Sequence, residues 1–420
     1  TGKLIQNAKV DAGTSVDYDA GGALSINETI AATTVDIDAS GVTAIAEAGD
    51  ITAGGAVTFG ANKFGTLTTA GEITTTDDNV TFTNALTLQG DVGIDTGSGK
   101  GDILFSESID GESALTLETG TGDATFTGAV KGLSGLTVDR GGTLTTVSSV
   151  AVAGDVSLTV NDIDLGSTLD AGTDDVLVTG QSGRSMSVGT DTSNDIQIDN
   201  TELSNITAGA LTLKTVGTNI VVAGLEMADL SGINAETGLK LDTGSGAGDI
   251  SFTDTDSALG VSLTTSSGTG SFVASAGVST GNQKLSITAN DFTIGSKLDS
   301  GSASTTLSVF GTDRNLDLAG GDQGDGADIS GAELALITAT DLTVKTKGSS
   351  GAIKTGDGIT DTNTENISGT FKIASGGNFT TSTDAITTAG VFSIAAGGSV
   401  DLNGTVTASQ GFSSTGTAFD

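Results

Sequence analysis

The densest group of side chains able to hold a cation is Asp322, Asp325 and Asp328, three carboxylates spaced by three in the Gly-rich run 320–328. Hard oxygen ligands carried on such a turn suit calcium, which makes these residues a candidate calcium site although no cofactor is expected. A plain solvated acidic turn accounts for the same residues. The doublets Asp77-Asp78 and Asp174-Asp175 read that way too. No other cofactor is implied. Cysteine and histidine are absent, which excludes a disulfide, a thiolate nucleophile, an imidazole base and any His or Cys metal site. Paired carboxylates in a groove can cleave glycosidic bonds. Against that, only Arg140, Arg184 and Arg314 are present to hold an acidic sugar chain. Tryptophan is absent and Tyr18 is the one tyrosine, so no aromatic platform for sugar rings is evident. The expectation is a protein that is not an enzyme. The Gly-rich stretches also lack the Gly-Lys-Ser/Thr ending of a phosphate loop.

Charge narrows the partners further. The 420 residues carry 52 acidic and 16 basic side chains, a formal charge of −36. Such a surface repels nucleic acid and anionic membranes and stays soluble. No apolar run approaches the length of a membrane span, so membrane insertion is not expected. No signal peptide is recognisable at Thr1, which reads as the start of a processed chain or an excised segment. Glycine is 64 of 420 residues and proline is missing altogether. Proline cannot donate to a strand ladder. A chain whose strands nearly all lie between two others has little room for it.

The elements that must carry these side chains are announced by phenylalanine. Phe59, Phe82, Phe105 and Phe126 recur at steps of 23, 23 and 21 residues. Phe252, Phe272, Phe292 and Phe310 recur at 20, 20 and 18, and Phe371, Phe392 and Phe412 at 21 and 20. A bulky apolar residue that returns at so even an interval means a backbone returning to one lateral position per repeat. Short apolar–Thr–apolar triplets such as Val57-Thr58-Phe59 and Leu211-Thr212-Leu213 place two side chains inward and one outward. Val35-Asp-Ile37 aligns with Val57-Thr-Phe59, and Phe371-Lys-Ile-Ala-Ser-Gly-Gly with Phe392-Ser-Ile-Ala-Ala-Gly-Gly. The spacing predicts an all-β parallel β-helix (β-solenoid) of about 20 coils of about 21 residues. At about 4.8 Å per stacked strand it would be a single elongated rod roughly 95 Å long. Residues 1–420 are expected to form one continuous solenoid, with related blocks at about 90–215 and 237–346 and further 21-residue coils at about 369–420.

A longer duplication lies over the coils. Asp95-Thr-Gly-Ser-Gly-Lys-Gly-Asp-Ile-Leu-Phe105 matches Asp242-Thr-Gly-Ser-Gly-Ala-Gly-Asp-Ile-Ser-Phe252. The second of these, together with Glu202-Leu-Ser-Asn-Ile-Thr-Ala-Gly-Ala-Leu-Thr-Leu213, Glu333-Leu-Ala-Leu-Ile-Thr-Ala-Thr-Asp-Leu-Thr-Val344 and Ala395-Ala-Gly-Gly-Ser-Val-Asp-Leu402, resembles the filamentous-haemagglutinin-type giant bacterial surface adhesins. Repeats of this sort cover essentially the whole chain. The resemblance implies a right-handed β-helix that is exported and displayed outside the cell or on its surface. The secretion domain with which such proteins begin is not recognisable at residues 1–60.

No amphipathic capping helix is visible near either end of the sequence. The terminal coils are therefore expected to continue into a longer chain, or to stack head-to-tail on another copy of it. The function expected is that of a non-enzymatic extracellular structural protein: a surface fibre, adhesin stalk or matrix filament. A binding module that recognises a cell-surface or matrix ligand through a lateral face is the alternative. A polysaccharide hydrolase or lyase is the third class.

Overall fold

Short alternating triplets cannot form a sheet by themselves, and here each finds its partner one coil away. The structure, a computed structural model, describes residues 2–60, 65–320 and 326–419. It is all-β, with parallel sheets built up over about 19 turns at about 21-residue spacing. Two compact units are present. One comprises Thr1–Gln181 with Asn205–Leu211, the other Ser182–Ser204 with Thr212–Asp420.

In the first unit the early turns carry three strands, and in later turns two of them run together as one, Gly135–Thr146 and then Val156–Leu165. One turn holds Thr43–Ile45, Ile51–Ala53 and Val57–Phe59, and the next holds Leu67–Thr69, Ile73–Thr74 and Val80–Phe82. Leu67 pairs with Thr43, Ile73 with Ile51 and Val80 with Val57, all in parallel. The backbone thus regains its lateral position after 24, 22 and 23 residues on the three faces. Burial alternates along each triplet, with Val57 and Phe59 inside and Thr58 between them turned outward. A two-residue side-chain period permits only this arrangement when one face is solvated.

Register brings like onto like. Phe59, Phe82, Phe105 and Phe126 are mutually paired and fully buried. Their rings lie parallel within 7°, with centroids 4.8, 4.9 and 5.2 Å apart. That spacing is close to the strand-to-strand distance itself, so the ladder sets the stack.

The turns between strands are held from inside. Thr96 is buried and donates from Oγ1 to the Gly101 carbonyl at 2.7 Å. Asp95 Oδ1 accepts from the Gly97 N–H at 2.7 Å, and Gly97 sits at φ +86°. The duplicate copy repeats this geometry. Thr243 Oγ1 donates to the Gly248 carbonyl at 2.9 Å, and Asp242 Oδ1 accepts from Gly244, whose φ is +75°. The shared Asp-Thr-Gly-Ser-Gly motif is therefore a corner, and its threonine satisfies a carbonyl that would otherwise be buried unpaired.

The second unit follows the same plan with two departures from the expected stacks. Phe272 pairs with Phe292, but Phe252 pairs with Ala274, because Phe272 faces Ile250 instead. The ladder step here is 22 residues while the two phenylalanines are 20 apart. A slip of two keeps every inward residue inward, and the rings meet at 5.9 Å and 49°. Phe310 is not in the stack. The strand Ala327–Ile329 lies against Asp291–Ile294, whereas Phe310 follows the last residue of Ser304–Val309 and is only half-buried. Phe371, Phe392 and Phe412 do pair in sequence, with centroids 5.6 and 5.8 Å apart. Phe379, which breaks the spacing rule, is fully buried on another ladder between Ile353 and Val400.

Two of the segments quoted for the adhesin resemblance, those from Glu202 and Glu333, begin within single helical turns, Asn200–Ser204 and Gly331–Ala335. The second carries a capping box between Ser330 and Glu333. Leu203 and Leu334 anchor the two turns in the interior.

Replacing Phe82 by Ala opens a gap between two stacked rings and is expected to destabilise its unit by about 3–5 kcal/mol. Phe310→Ala should cost about 1 kcal/mol or less, as at other partly solvated positions. Urea unfolding followed by circular dichroism checks both, and equal losses would contradict the assignment of Phe310 to the surface.

Candidate functional site

Much of the acidity turns out to be structural. Asn79 Oδ1 accepts the Asp102 N–H at 2.8 Å, Asp102 Oδ1 accepts that of Asp123 at 2.9 Å, and Asp123 Oδ1 accepts that of Thr143 at 2.7 Å. The same staple recurs in the second unit, from Asn219 to Asp249 and from Asp249 to Ser271. Each side chain sits just before a strand and captures the backbone of the coil above. An ionised carboxylate or an amide oxygen serves equally, which is why Asp and Asn interchange in this column.

Elsewhere the ladder brings carboxylates side by side. Asp17 pairs with Asp36 and Asp19 with Asp38 on neighbouring coils. Period-two alternation puts all four on one face of the sheet. Asp36 Oδ1 is buried without a hydrogen-bond partner among the described residues. Burial, and then the charges of Asp38 and Asp17, push the Asp36 carboxyl above the usual carboxylate range.

Two lateral depressions offer room for a ligand. In the first unit a groove of about 390 Å³ is lined by Glu72, Asp91, Asp95, Thr116 and Glu118, with Gly93 as its floor. Arg140, at φ +53°, reaches back to pair with Glu118 and lies 3.8 Å from Asp139. The groove is strongly acidic. In the second unit a shallow pocket of about 420 Å³ is lined by Phe310, Asn290, Asp313, Arg314, Asn315 and Thr269. Arg314 is tied down there. Its Nε donates to the Asn290 carbonyl and one terminal nitrogen to the Gly326 carbonyl, both at 2.9 Å. Sequence reasoning missed this aromatic platform, because the 18-residue step to Phe310 looked like one more turn of the stack.

The candidate calcium site rests on residues of which only Asp328 can be placed. Asp322 and Asp325 lie outside the described residues. Asp328 is in the strand Ala327–Ile329, where it pairs with Asp317 and its N–H donates to Asp291 Oδ1 at 3.0 Å. On the other side of Asp317 stands Lys354, whose Nζ is 3.6 Å from Asp317 Oδ2. An ammonium group thus occupies the flank of Asp317 that a cation would need. No group of three or more ligating side chains suited to a metal occurs among the described residues. Burial raises the Asp317 carboxyl above its ordinary range, against the opposing charge of Lys354.

No family model, curated protein or solved structure matches the chain.

The pH behaviour of Asp36 can be stated in sign. Its proton is held more tightly in the fold than in the unfolded chain, so the fold is favoured most at acid pH. That advantage is lost as pH rises through the carboxylate range toward the raised folded value. Asp36→Asn should therefore be at least as stable as the parent at pH 7. The parent should close the difference near pH 3. Urea midpoints at the two pH values test this, and a variant weakened at pH 7 would contradict it.

Proposed function

We propose that this chain is a non-enzymatic structural protein of the cell exterior, a stiff acidic stack of coils serving as surface fibre, adhesin stalk or matrix filament. The observation that carries the reading is in-register stacking, to which polar as well as apolar side chains contribute. Aspartates staple neighbouring coils, threonines close the corners, and phenylalanines fill the centre. Ladder hydrogen bonds and buried stacks supply rigidity, and a charge of −36 keeps separate stacks apart.

A head-to-tail contact extends the same logic. The strand Phe412–Thr415 pairs with Val391–Ala396 on one side and with no further strand among the described residues. Phe412 and Phe419 are 45% and 56% exposed there, while Leu4 and Ile5 are exposed on the first coil. An open ladder edge with apolar side chains takes another coil most readily. The next coil is supplied by a second copy or by continuing chain. Electron microscopy of the purified chain tests self-stacking. Uniform filaments are expected, and the double variant Phe412→Asp, Phe419→Asp should give separate particles. Separate particles from the parent chain would overturn self-stacking.

The Phe310 pocket favours a second reading, lateral recognition of a ligand. A half-buried ring flanked by Asn290, Asn315 and Asp313 offers the apolar face and hydrogen-bonding edge that suit a neutral hexose. A panel of immobilised neutral and anionic oligosaccharides tests this reading. It expects retention of a neutral glycan that falls at least about tenfold in Phe310→Ala, and no retention by the parent chain would remove it.

A further inference from the structure

Among the carboxylates described here, Asp317 stands out. It is only 5% exposed, and both of its oxygens are buried without a hydrogen-bond partner among the described residues. Buried carboxylates are otherwise satisfied by N–H groups or by water, because an ion stripped of both is strongly disfavoured. Two glycines build its enclosure. A Cβ on Gly320 would lie 2.7 Å from Asp317 Oδ1, and one on Gly356 would lie 2.9 Å from it. Backbone thus takes the place of solvent around that oxygen.

The neighbours are set by register. On the ladder formed by Leu316–Leu318, Ala327–Ile329 and Ile353–Thr355, Asp317 is paired directly with Asp328 on one side and Lys354 on the other. Lys354 Nζ is 3.6 Å from Asp317 Oδ2, beyond hydrogen-bond length but within reach of attack after a small torsional change. The lysine side chain is 56% exposed, so the amine can approach from solvent and a released water can leave.

We propose that Lys354 and Asp317 join in an intramolecular isopeptide bond that staples two coils covalently. The step begins with a proton passing from the ammonium to the carboxylate, which leaves an amine and a carboxylic acid. Nζ then attacks Cγ of Asp317. The Cγ–O bond to the hydroxyl breaks, and one water departs with that oxygen, the carboxylic proton and one further proton from nitrogen. No oxidant, reductant or cofactor enters the balance. Asp328, next to Asp317 on the ladder, is placed to relay protons between nitrogen and the departing oxygen. The raised proton affinity of Asp317 is in keeping with the neutral acid that attack requires.

Intact-mass spectrometry of the purified full chain is the test, because it needs no ligand and no activity. The expected mass is lower than that of the sequence by one water, and proteolysis should yield a branched peptide joining residue 317 to residue 354. Lys354→Arg and Asp317→Ala should each restore the full mass, whether or not the variant is as stable as the parent. A parent chain at the full sequence mass would overturn the proposal. So would a water loss that persists in Lys354→Arg, since that is the mark of a cyclised aspartyl residue elsewhere.

Discussion

Parallel pairing in register is the constraint on which the rest of the structure depends. Most strands are two to six residues long, and their pairings are parallel rather than antiparallel through a tight turn. A strand's backbone groups are satisfied by the equivalent strand of the coils above and below. That requirement places residues of equal lateral position on top of one another, at the spacing of the ladder. For apolar residues the consequence is favourable, as in the column from Phe59 to Phe126. For charged residues it is adverse, because identical side chains are brought together as closely as the rings are.

The molecule answers the second consequence in more than one way. In the column from Asn79 through Asp102 to Asp123, each side-chain oxygen faces a backbone N–H of the next coil. Where the ladder sets Asp17 beside Asp36, burial and the neighbouring carboxylates leave the Asp36 carboxyl holding its proton more tightly. At Asp317 a lysine on the neighbouring coil faces the acid directly. Corners follow a different rule. Buried hydroxyls such as Thr96 and Thr243 satisfy turn carbonyls, and glycine supplies the left-handed backbone that follows them.

This division of labour bears on function. Residues that might have done chemistry are largely occupied in holding one coil to the next, and the lateral depressions are open and shallow. The structural role that we propose draws on that commitment. The Phe310 pocket is the exception, since its ring contributes nothing to the central stack.

The parallel solenoid, its coil length and the inward phenylalanines of the first unit were legible in the chain alone, because a backbone that revisits one lateral position must repeat its residue types at that interval. The corner role of the Asp-Thr-Gly-Ser-Gly motif was visible as a duplication but not as a hydrogen-bond pattern, since the carbonyl that each threonine caps is identified only by the turn's path. Register shifts of two residues are silent in a sequence, because they preserve the alternation of inward and outward side chains. Phe252 therefore met Ala274 and Phe310 left the stack without any change of pattern to announce it. Likewise, only the three-dimensional ladder could set Asp317 between Asp328 and Lys354, residues 11 and 37 positions away along the chain. Which coil lies beside which depends on how the loops between strands close. Loop closure is a property of the whole turn, whereas burial of an apolar residue is a property that each triplet carries by itself.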